Sequence, residues 1–345
     1  MDPLEIFQEA AASMVSPILL TLSGSFICYK KWFDSVINAQ ILLATTEFML
    51  PLYILFTLPR VYDSNNIWEL WPLMISPMII LPLLGLMGYF LVWLVNIPKN
   101  QRFSIASMYS FSSIGNISIL IVKSCCSTYG SLHREDTCDI SLPYICMMWL
   151  PFKIVMFLMA CPLFKKESGF NEKSIWNILM HKLLLPLPVA AVVANAIGVI
   201  PGMNWFLFNE DSPGYMLSDC AIIVGYTGIL FSQMIVGSNM TLNAKEKVDL
   251  DKGKIIWIAL TRSIFTPAVV MLYVYLMWIY GALYDDRVMA FGIFIGLSSP
   301  PSFMILVMMK EFGMDTKEVT LIKFWIFGFS VVTMTLSIFF FFLLI

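Results

Sequence analysis

Apolar residues dominate ten long stretches of the chain, and short polar or charged connections separate them. Because about 20 apolar residues cross the hydrocarbon core of a bilayer as a helix, each stretch predicts a membrane span. The ten predicted spans lie near residues 10 to 29, 37 to 58, 70 to 96, 103 to 124, 141 to 163, 178 to 200, 216 to 237, 255 to 282, 288 to 309 and 319 to 345. The pattern therefore predicts an all-α polytopic protein.

Spans 4 and 9 carry small, polar and helix-breaking residues where an unbroken helix would carry leucine or isoleucine. Span 4 contains Ser-Ser-Ile-Gly-Asn at 112–116, and span 9 contains Ser-Ser-Pro-Pro-Ser at 298–302. Proline removes a backbone donor, and glycine tolerates angles that other residues resist. Paired interruptions at corresponding places in two halves of a chain point to the binding site of a transporter. The alternative is that these residues only pack helices together.

Composition and charge placement give the chain a class and an orientation. Hydrophobic residues make up 59% of the sequence and charged residues 13%, and the mean hydropathy of +0.81 excludes an ordinary soluble globular protein. Connections 1–2, 3–4, 5–6, 7–8 and 9–10 carry fourteen Lys and Arg residues, whereas the opposite side carries Arg60, Arg134 and Arg287. By the positive-inside rule the first set marks the cytoplasmic face, so both termini are predicted to be non-cytoplasmic.

The basic segment at 165–177 divides the ten spans into five and five. We expect a first five-helix repeat over 1–164, a cytoplasmic linker over 165–177 and a second five-helix repeat over 178–345. An odd number of spans in each half inserts the two halves in opposite orientations. Ten transmembrane helices then form two inverted repeats, with broken, crossing helices 4 and 9 near the midplane.

No pattern of residues indicates catalysis or a bound cofactor. His133 and His181 belong to no nucleophile or metal constellation, and the chain has no phosphate-cradling loop. We therefore predict that the protein is not an enzyme and that it holds no metal and no cofactor. Cys138 forming a disulfide with Cys125 or Cys126 on the non-cytoplasmic side is an open hypothesis.

Ionisable residues at membrane depth are costly and usually face the interior of the bundle. Glu47, in span 2, is either a proton-coupling group or a carboxylate paired with a lysine for packing. Lys153 and Lys123 are candidate counter-charges for an anion, and Lys123 has the alternative of snorkelling to the interface. Arg262, Lys323 and Asp219 lie nearer the faces, where we expect them to snorkel or pair.

Interrupted helices also supply a binding chemistry of their own. Half-helix N-termini present unpaired amides and the positive end of the helix dipole, which suit a carboxylate. Serine and asparagine side chains at the breaks add hydrogen-bonding groups. The predicted substrate-binding residues are Ser113, Gly115, Asn116, Ser118, Ser299, Pro300, Pro301 and Ser302.

Several motifs resemble the auxin efflux carrier-like membrane transport family, in particular its PIN-LIKES branch. The run at 113–121 resembles the fourth helix of that family, and 197–201 with 208–213 resembles the stretch after its sixth helix. The segment at 237–240 resembles the end of its seventh helix. Arg262 with Pro267 resembles its eighth helix, and Pro300-Pro301 its ninth. The likeness runs through most of the chain in order.

The resemblance implies ten helices in two inverted repeats, a scaffold part and a transport part, and crossed, broken helices 4 and 9 around the substrate. It also implies elevator-like alternating access and carriage of auxin or related organic anions. This chain departs from the family at Ser118, where a proline is usual, and at Gly225-Tyr226, where an acidic residue is usual. Substrate identity and proton coupling are therefore not carried over.

The favoured function is secondary transport of a small organic anion between helices 4 and 9. The alternatives are a sodium- or proton-coupled carrier of the bile-acid or antiporter type, and a non-transport membrane receptor. The expected partners are the anion and the lipid bilayer, with no nucleic acid, and a homodimer is left open. The expected location is the endoplasmic reticulum or the plasma membrane.

Overall fold

The computed structural model describes residues 3–64, 67–128, 135–169, 176, 180–181, 184–200, 202–243, 248 and 250–345. Within these ranges it describes the backbone but not the side chains at 63–64, 67, 127–128, 135–140 and 243. Cys138 is one of these positions, so the hypothesis of a disulfide with Cys125 or Cys126 lies outside the described side chains. His133, Arg134, Lys173, Lys182, Lys245 and Lys247 lie outside the described residues altogether.

Helices make up nearly all the regular structure of the described residues, which hold no β-strand and one isolated β-bridge. The helices in the first half are α1 (Pro3–Ser13), α2 (Val15–Tyr29), α3 (Ser35–Ala44), α4 (Leu50–Thr57), α5 (Val61–Ser64), α6 (Trp71–Leu94), α7 (Arg102–Ser110), α8 (Ile117–Thr128) and α9 (Glu135–Ser168). Those in the second half are α10 (Pro186–Val199), α11 (Met203–Phe208), α12 (Tyr215–Asn243), α13 (Lys252–Ile279), α14 (Arg287–Ser298), α15 (Met304–Glu311) and α16 (Lys317–Leu344).

Among the described residues, seven helical stretches are long and apolar enough to cross a membrane. They are Pro3–Tyr29, Ser35–Arg60, Trp68–Leu94, Ser141–Ser168, Tyr215–Leu242, Lys252–Ile279 and Lys317–Leu344. Three shorter apolar helices, Ile117–Cys126, Pro186–Val199 and Arg287–Ser298, fall in predicted spans 4, 6 and 9. The protein is therefore an integral membrane protein, and its shorter apolar helices lie where the sequence carries proline, glycine or serine.

Helix contacts divide the bundle into two bodies. In the first, α2 packs on α12, and α4 packs on both α10 and α12. In the second, α6 packs on α7 and α9, while α13 packs on α14 and α16. Helix α1 contacts α16 and α8 of the second body, although α2 follows it after the single residue Met14. The first membrane-spanning stretch thus contacts both bodies.

Close backbone contact between α2 and α12 holds the first body together. A side chain at Gly24 would collide with the backbone of Met234, and one at Gly237 would collide with the backbone of Thr21. Ser25 Oγ donates to the Gly237 carbonyl at 3.0 Å across the same contact. Small residues that let two helix backbones approach are a common basis of packing inside membranes.

Two side-chain hydrogen bonds link helices to connections that lie far away in the sequence. Lys254 Nζ, at the start of α13, donates to the Asn96 carbonyl, 3.3 Å away in the connection after α6. The Tyr144 hydroxyl of α9 donates to Asp286 Oδ2, 2.7 Å away, just before α14.

Replacing Gly237 with leucine is expected to lower the free energy of unfolding by about 1–3 kcal/mol or more, because the new side chain would meet backbone that cannot move aside. The check is the melting temperature of the purified protein in detergent. Gly328→Ala is the control, since nothing lies within 4 Å of the position its new carbon would take. Equal melting temperatures for the Gly237→Leu variant and the wild type would contradict the packing described above.

Candidate functional site

The helical path stops inside both predicted spans 4 and 9. Helix α7 ends at Ser110 and α8 begins at Ile117, while α14 ends at Ser298 and α15 begins at Met304. Pro300 and Pro301 have no amide to donate, so α14 cannot continue through them. In the other break, the Phe111 backbone has left helical angles, with φ −96° and ψ 89°.

The two interruptions pair with each other through their backbones. Ser113 N donates to the Pro300 carbonyl and Ser302 N donates to the Phe111 carbonyl, each at 2.8 Å. Ser112 and Pro301 face each other between these bonds as an antiparallel bridge. Unpaired backbone groups are costly in a membrane, and non-helical backbone persists there only when protein or water satisfies it. Each break therefore supplies partners that the other needs.

Arg262 of α13 joins both breaks from the side. Its Nε donates to the Met108 carbonyl at 2.7 Å and its Nη2 donates to the Ser299 carbonyl at 2.9 Å. The same Nη2 lies 3.4 Å from Ser112 Oγ, and the side chain is only 1% exposed. These carbonyls sit at the C-terminal ends of α7 and α14, where helix carbonyls lack intrahelical partners and the dipole is negative.

The expectation that Arg262 and Lys323 snorkel to the interface or pair was wrong. Arg262 is buried and bonded to backbone carbonyls, and Lys323 is 5% exposed with no hydrogen-bond partner for its Nζ among the described residues. Both lie on faces that pack against other helices instead of facing lipid. The signal that would have found them is the general rule that an ionisable residue within a span is functional by default.

A cavity of about 410 Å³ lies against the two interruptions. Helices α3, α4, α9, α10 and α15, the turn after α3, and the residues His181 and Leu185 before α10 form the rest of its wall. Apolar and aromatic side chains predominate there, with Trp149, Phe152, Phe157 and Phe303 among them. His181 and Glu311 mark the side on which the connections 5–6 and 9–10 lie.

Six of the predicted site residues line this cavity: Ser113, Gly115, Asn116, Ser302, Glu47 and Lys153. A side chain at Gly115 would lie 2.8 Å from Trp149 Nε1, so only glycine leaves room for the indole there. Ser302 Oγ accepts from Met304 N at 3.3 Å and so caps the first turn of α15. These residues bring the two breaks and two charged side chains to one space.

The other five predicted residues do not line the cavity. Ser118 Oγ donates to the Ile295 carbonyl at 3.2 Å, and the side chain of Ser299 is fully buried. Pro300 and Pro301 are engaged in the paired backbone. Lys123 is exposed, with its Nζ 3.9 Å from the centre of the Tyr226 ring, and so lies away from the cavity.

Glu47 and Lys153 approach the cavity from opposite bodies. Glu47 lies in a widened π-helical turn, Thr45–Met49, ahead of Pro51, which has no amide to offer the carbonyl four residues earlier. The Glu47 side chain is exposed and forms no ion pair with any described residue, which disfavours a permanent packing pair with a lysine. Lys153 is 7% exposed, and its Nζ lies 4.7 Å from the centre of the Trp149 ring.

Arg262→Met is expected to destabilise the protein, because it leaves the Met108 and Ser299 carbonyls without the donor that satisfies them. Each such buried group costs about 1–3 kcal/mol. Arg262→Lys should recover only part of the loss, because a single ammonium lacks the fork that reaches two carbonyls on two segments. Melting temperatures in detergent test both variants.

The control for this pair is Arg102→Met, in which the lost Nε donor serves a single carbonyl, that of Ile97 in the connection before α7. A wild-type melting temperature for Arg262→Met would mean that the guanidinium does not hold the two breaks.

Comparison with known proteins agrees with the motifs and the helical membrane fold. The sequence matches the family described as membrane transport protein over residues 14–339. Two relatives from Arabidopsis thaliana are similar to this chain. Protein PIN-LIKES 1 is 19% identical over 324 residues, covering 83% of this chain and 68% of the relative. Protein PIN-LIKES 7 is 20% identical over 378 residues, covering 94% of this chain and 95% of the relative. The chain belongs to the membrane transport protein family of the auxin efflux carrier type.

Proposed function

We propose that the protein is a secondary transporter of small organic anions and that the anion binds in the cavity against the two interruptions. The observation that carries this proposal is the cavity itself, whose wall includes both breaks, the start of α15 and Lys153. The N-termini of α8 and α15 meet the breaks, and amides in a first helical turn have no intrahelical partners. Amides and a lysine together attract a negative group.

Size and lining favour a carboxylate attached to a flat apolar group. The cavity volume of about 410 Å³ falls in the range of small-molecule sites, roughly 300–1,000 Å³. Trp149, Phe152 and Phe157 offer aromatic surface, and Asn116 and Ser113 offer hydrogen-bonding side chains. An auxin-like aromatic monocarboxylate has a ring that fits the aromatic wall and a carboxylate that can accept the hydrogen bonds.

The helix contacts support two inverted five-helix repeats, with ten spans and the division at 165–177. If span 1 corresponds to span 6, span 2 to span 7, and so on, each contact between two helices should have a counterpart between the corresponding helices. The contact of α2 (span 1) with α12 (span 7) then corresponds to the contact of α10 (span 6) with α4 (span 2). In the same way, the contact of α6 with α9 (spans 3 and 5) corresponds to that of α13 with α16 (spans 8 and 10). The contact of α6 with α7 (spans 3 and 4) corresponds to that of α13 with α14 (spans 8 and 9). All six contacts occur. Repeated contacts of this kind are what two copies of one fold in opposite orientation would produce.

Alternating access follows from the two bodies. The cavity lies between α3 of the first body and the paired breaks of the second, so sliding one body along the other would carry the bound anion across. The joint at Met14, where one span changes from one body to the other, is suited to such movement. Because His181 and Glu311 line the cavity on the side of connections 5–6 and 9–10, we assign this form as open to the cytoplasm. The membrane that we propose is that of the endoplasmic reticulum or the plasma membrane.

Arg262 argues against coupling to sodium. In sodium-coupled carriers with broken helices, unwound carbonyls and half-helix C-terminal ends coordinate the ion. Here the guanidinium already bonds the carbonyls of Met108 and Ser299 at the ends of α7 and α14. A permanent cation in that position leaves no need for a bound one. Glu47 on the cavity wall leaves proton coupling as the second candidate mechanism.

The test is uptake of radiolabelled indole-3-acetate into liposomes containing the purified protein. We expect saturable uptake that is equal in sodium and potassium buffers. Asn116→Ala should lower kcat/KM by at least about tenfold, because losing one hydrogen bond to a charged group costs about 1.5–3 kcal/mol.

Thr227→Ala serves as the control, since its exposed hydroxyl bonds only the Ile223 carbonyl of its own helix. Absence of saturable uptake for indole-3-acetate and for other organic acids would refute the transport proposal. Uptake unaffected by Asn116→Ala would refute the assigned site, and uptake that requires sodium would refute the role given to Arg262.

A further inference from the structure

Lys323 is a deeply buried cation that neither the cavity lining nor the paired breaks employ. It lies two turns into α16, and 5% of its side chain is exposed. Among the described residues, its Nζ has no hydrogen-bond partner and no carboxylate forms an ion pair with it. Burying a charge without a partner is costly, so such a residue is retained for a purpose other than stability.

The contact that Lys323 does make points toward the cavity. Its Nζ lies 5.0 Å from the centre of the Phe303 ring, which is a cation–π contact. Phe303 is also part of the cavity wall, beside Ser302 of the break. One aromatic side chain therefore contacts the buried ammonium and also lines the space in which we place the substrate.

Phe303 also marks the N-terminus of α15. It is the cap residue of that helix and contributes no side-chain hydrogen bond to it. The positive end of the helix dipole and the Lys323 ammonium thus lie on either side of the same residue. Two independent sources of positive potential therefore meet at Phe303.

We propose that Lys323 is the internal counter-charge of the transported anion, covered by the Phe303 ring and reached by the carboxylate when that ring turns aside. The inference rests on the proposed function and extends it, because it names the group that selects for negative charge. A carboxylate would receive charge-assisted hydrogen bonds from the ammonium and from the first amides of α15. A neutral analogue of the same shape would leave the buried charge unbalanced.

Lys323→Met tests the inference, because the variant is expected to be more stable than the wild type but to bind indole-3-acetate more weakly. Methionine has nearly the length of lysine without its charge, so the variant should melt at a higher temperature than the wild type. The same variant should raise the KM for indole-3-acetate by at least about tenfold, the effect expected for losing one charge-assisted hydrogen bond. The rise in melting temperature that saturating indole-3-acetate gives the wild type should disappear in the variant.

Lys317→Met is the matched control, because it removes a lysine from the same helix whose Nζ pairs at the surface with Asp315, 3.6 Å away. It should change neither the KM nor the shift in melting temperature that the ligand causes. Indole-3-acetamide, the neutral analogue, should bind the wild type and the Lys323→Met variant equally.

The outcomes separate this inference from the proposed function. A wild type that transports indole-3-acetate while Lys323→Met leaves its KM unchanged would overturn the role of Lys323 alone. A lower melting temperature for the variant, or its failure to fold, would also overturn it, because the lysine would then be structural. Absence of uptake of any organic acid by the wild type would refute the proposed function instead.

Discussion

Backbone groups inside a bilayer must find partners, and in this protein two broken helices find them in each other. The amides of Ser113 and Ser302 bond the carbonyls of Pro300 and Phe111, and Arg262 takes two of the carbonyls that the ended helices leave over. Non-helical backbone inside a bilayer persists only where protein or water satisfies it, and here each interruption supplies partners to the other. The cavity, the half-helix N-termini and the position of Phe303 all depend on those interruptions.

The placement of charge follows a division of roles. Arg262 is surrounded by acceptors and has little left to offer a ligand, so its function is to hold two chain segments. Lys153 and Lys323 instead rest against aromatic rings, Trp149 and Phe303. An aromatic face stabilises an ammonium less than a carboxylate does, and it can be displaced by one. Both rings also line the cavity, so each one connects a buried lysine to the space proposed for the substrate.

Sequence reasoning reached the features that local chemistry determines. Prolines at 300–301 and the glycine at 115 predict where helices stop, and Ser302 and Asn116 follow because they flank those stops. Features that depend on distant parts of the chain were not accessible. Nothing local to Arg262 indicates that it meets Met108, which lies 154 residues earlier. Burial of Lys323 likewise depends on how α16 packs, and apolar neighbours in sequence do not separate a lipid-facing side from a protein-facing one.

The widened turn at Thr45–Met49 has a consequence for how the site is specified. A π-helical turn holds one residue more than an α-helical turn, so it rotates everything before it by about 100° relative to everything after it. Leu42 lies before the turn and Leu50 after it, and because of this rotation both side chains line the cavity. The chemistry of Glu47 thus depends on the orientation of its side chain as well as on its residue type. The direction of its side chain depends on the number of residues in the turn. Deleting one residue from this span would point the carboxylate away from the cavity without altering any other side chain.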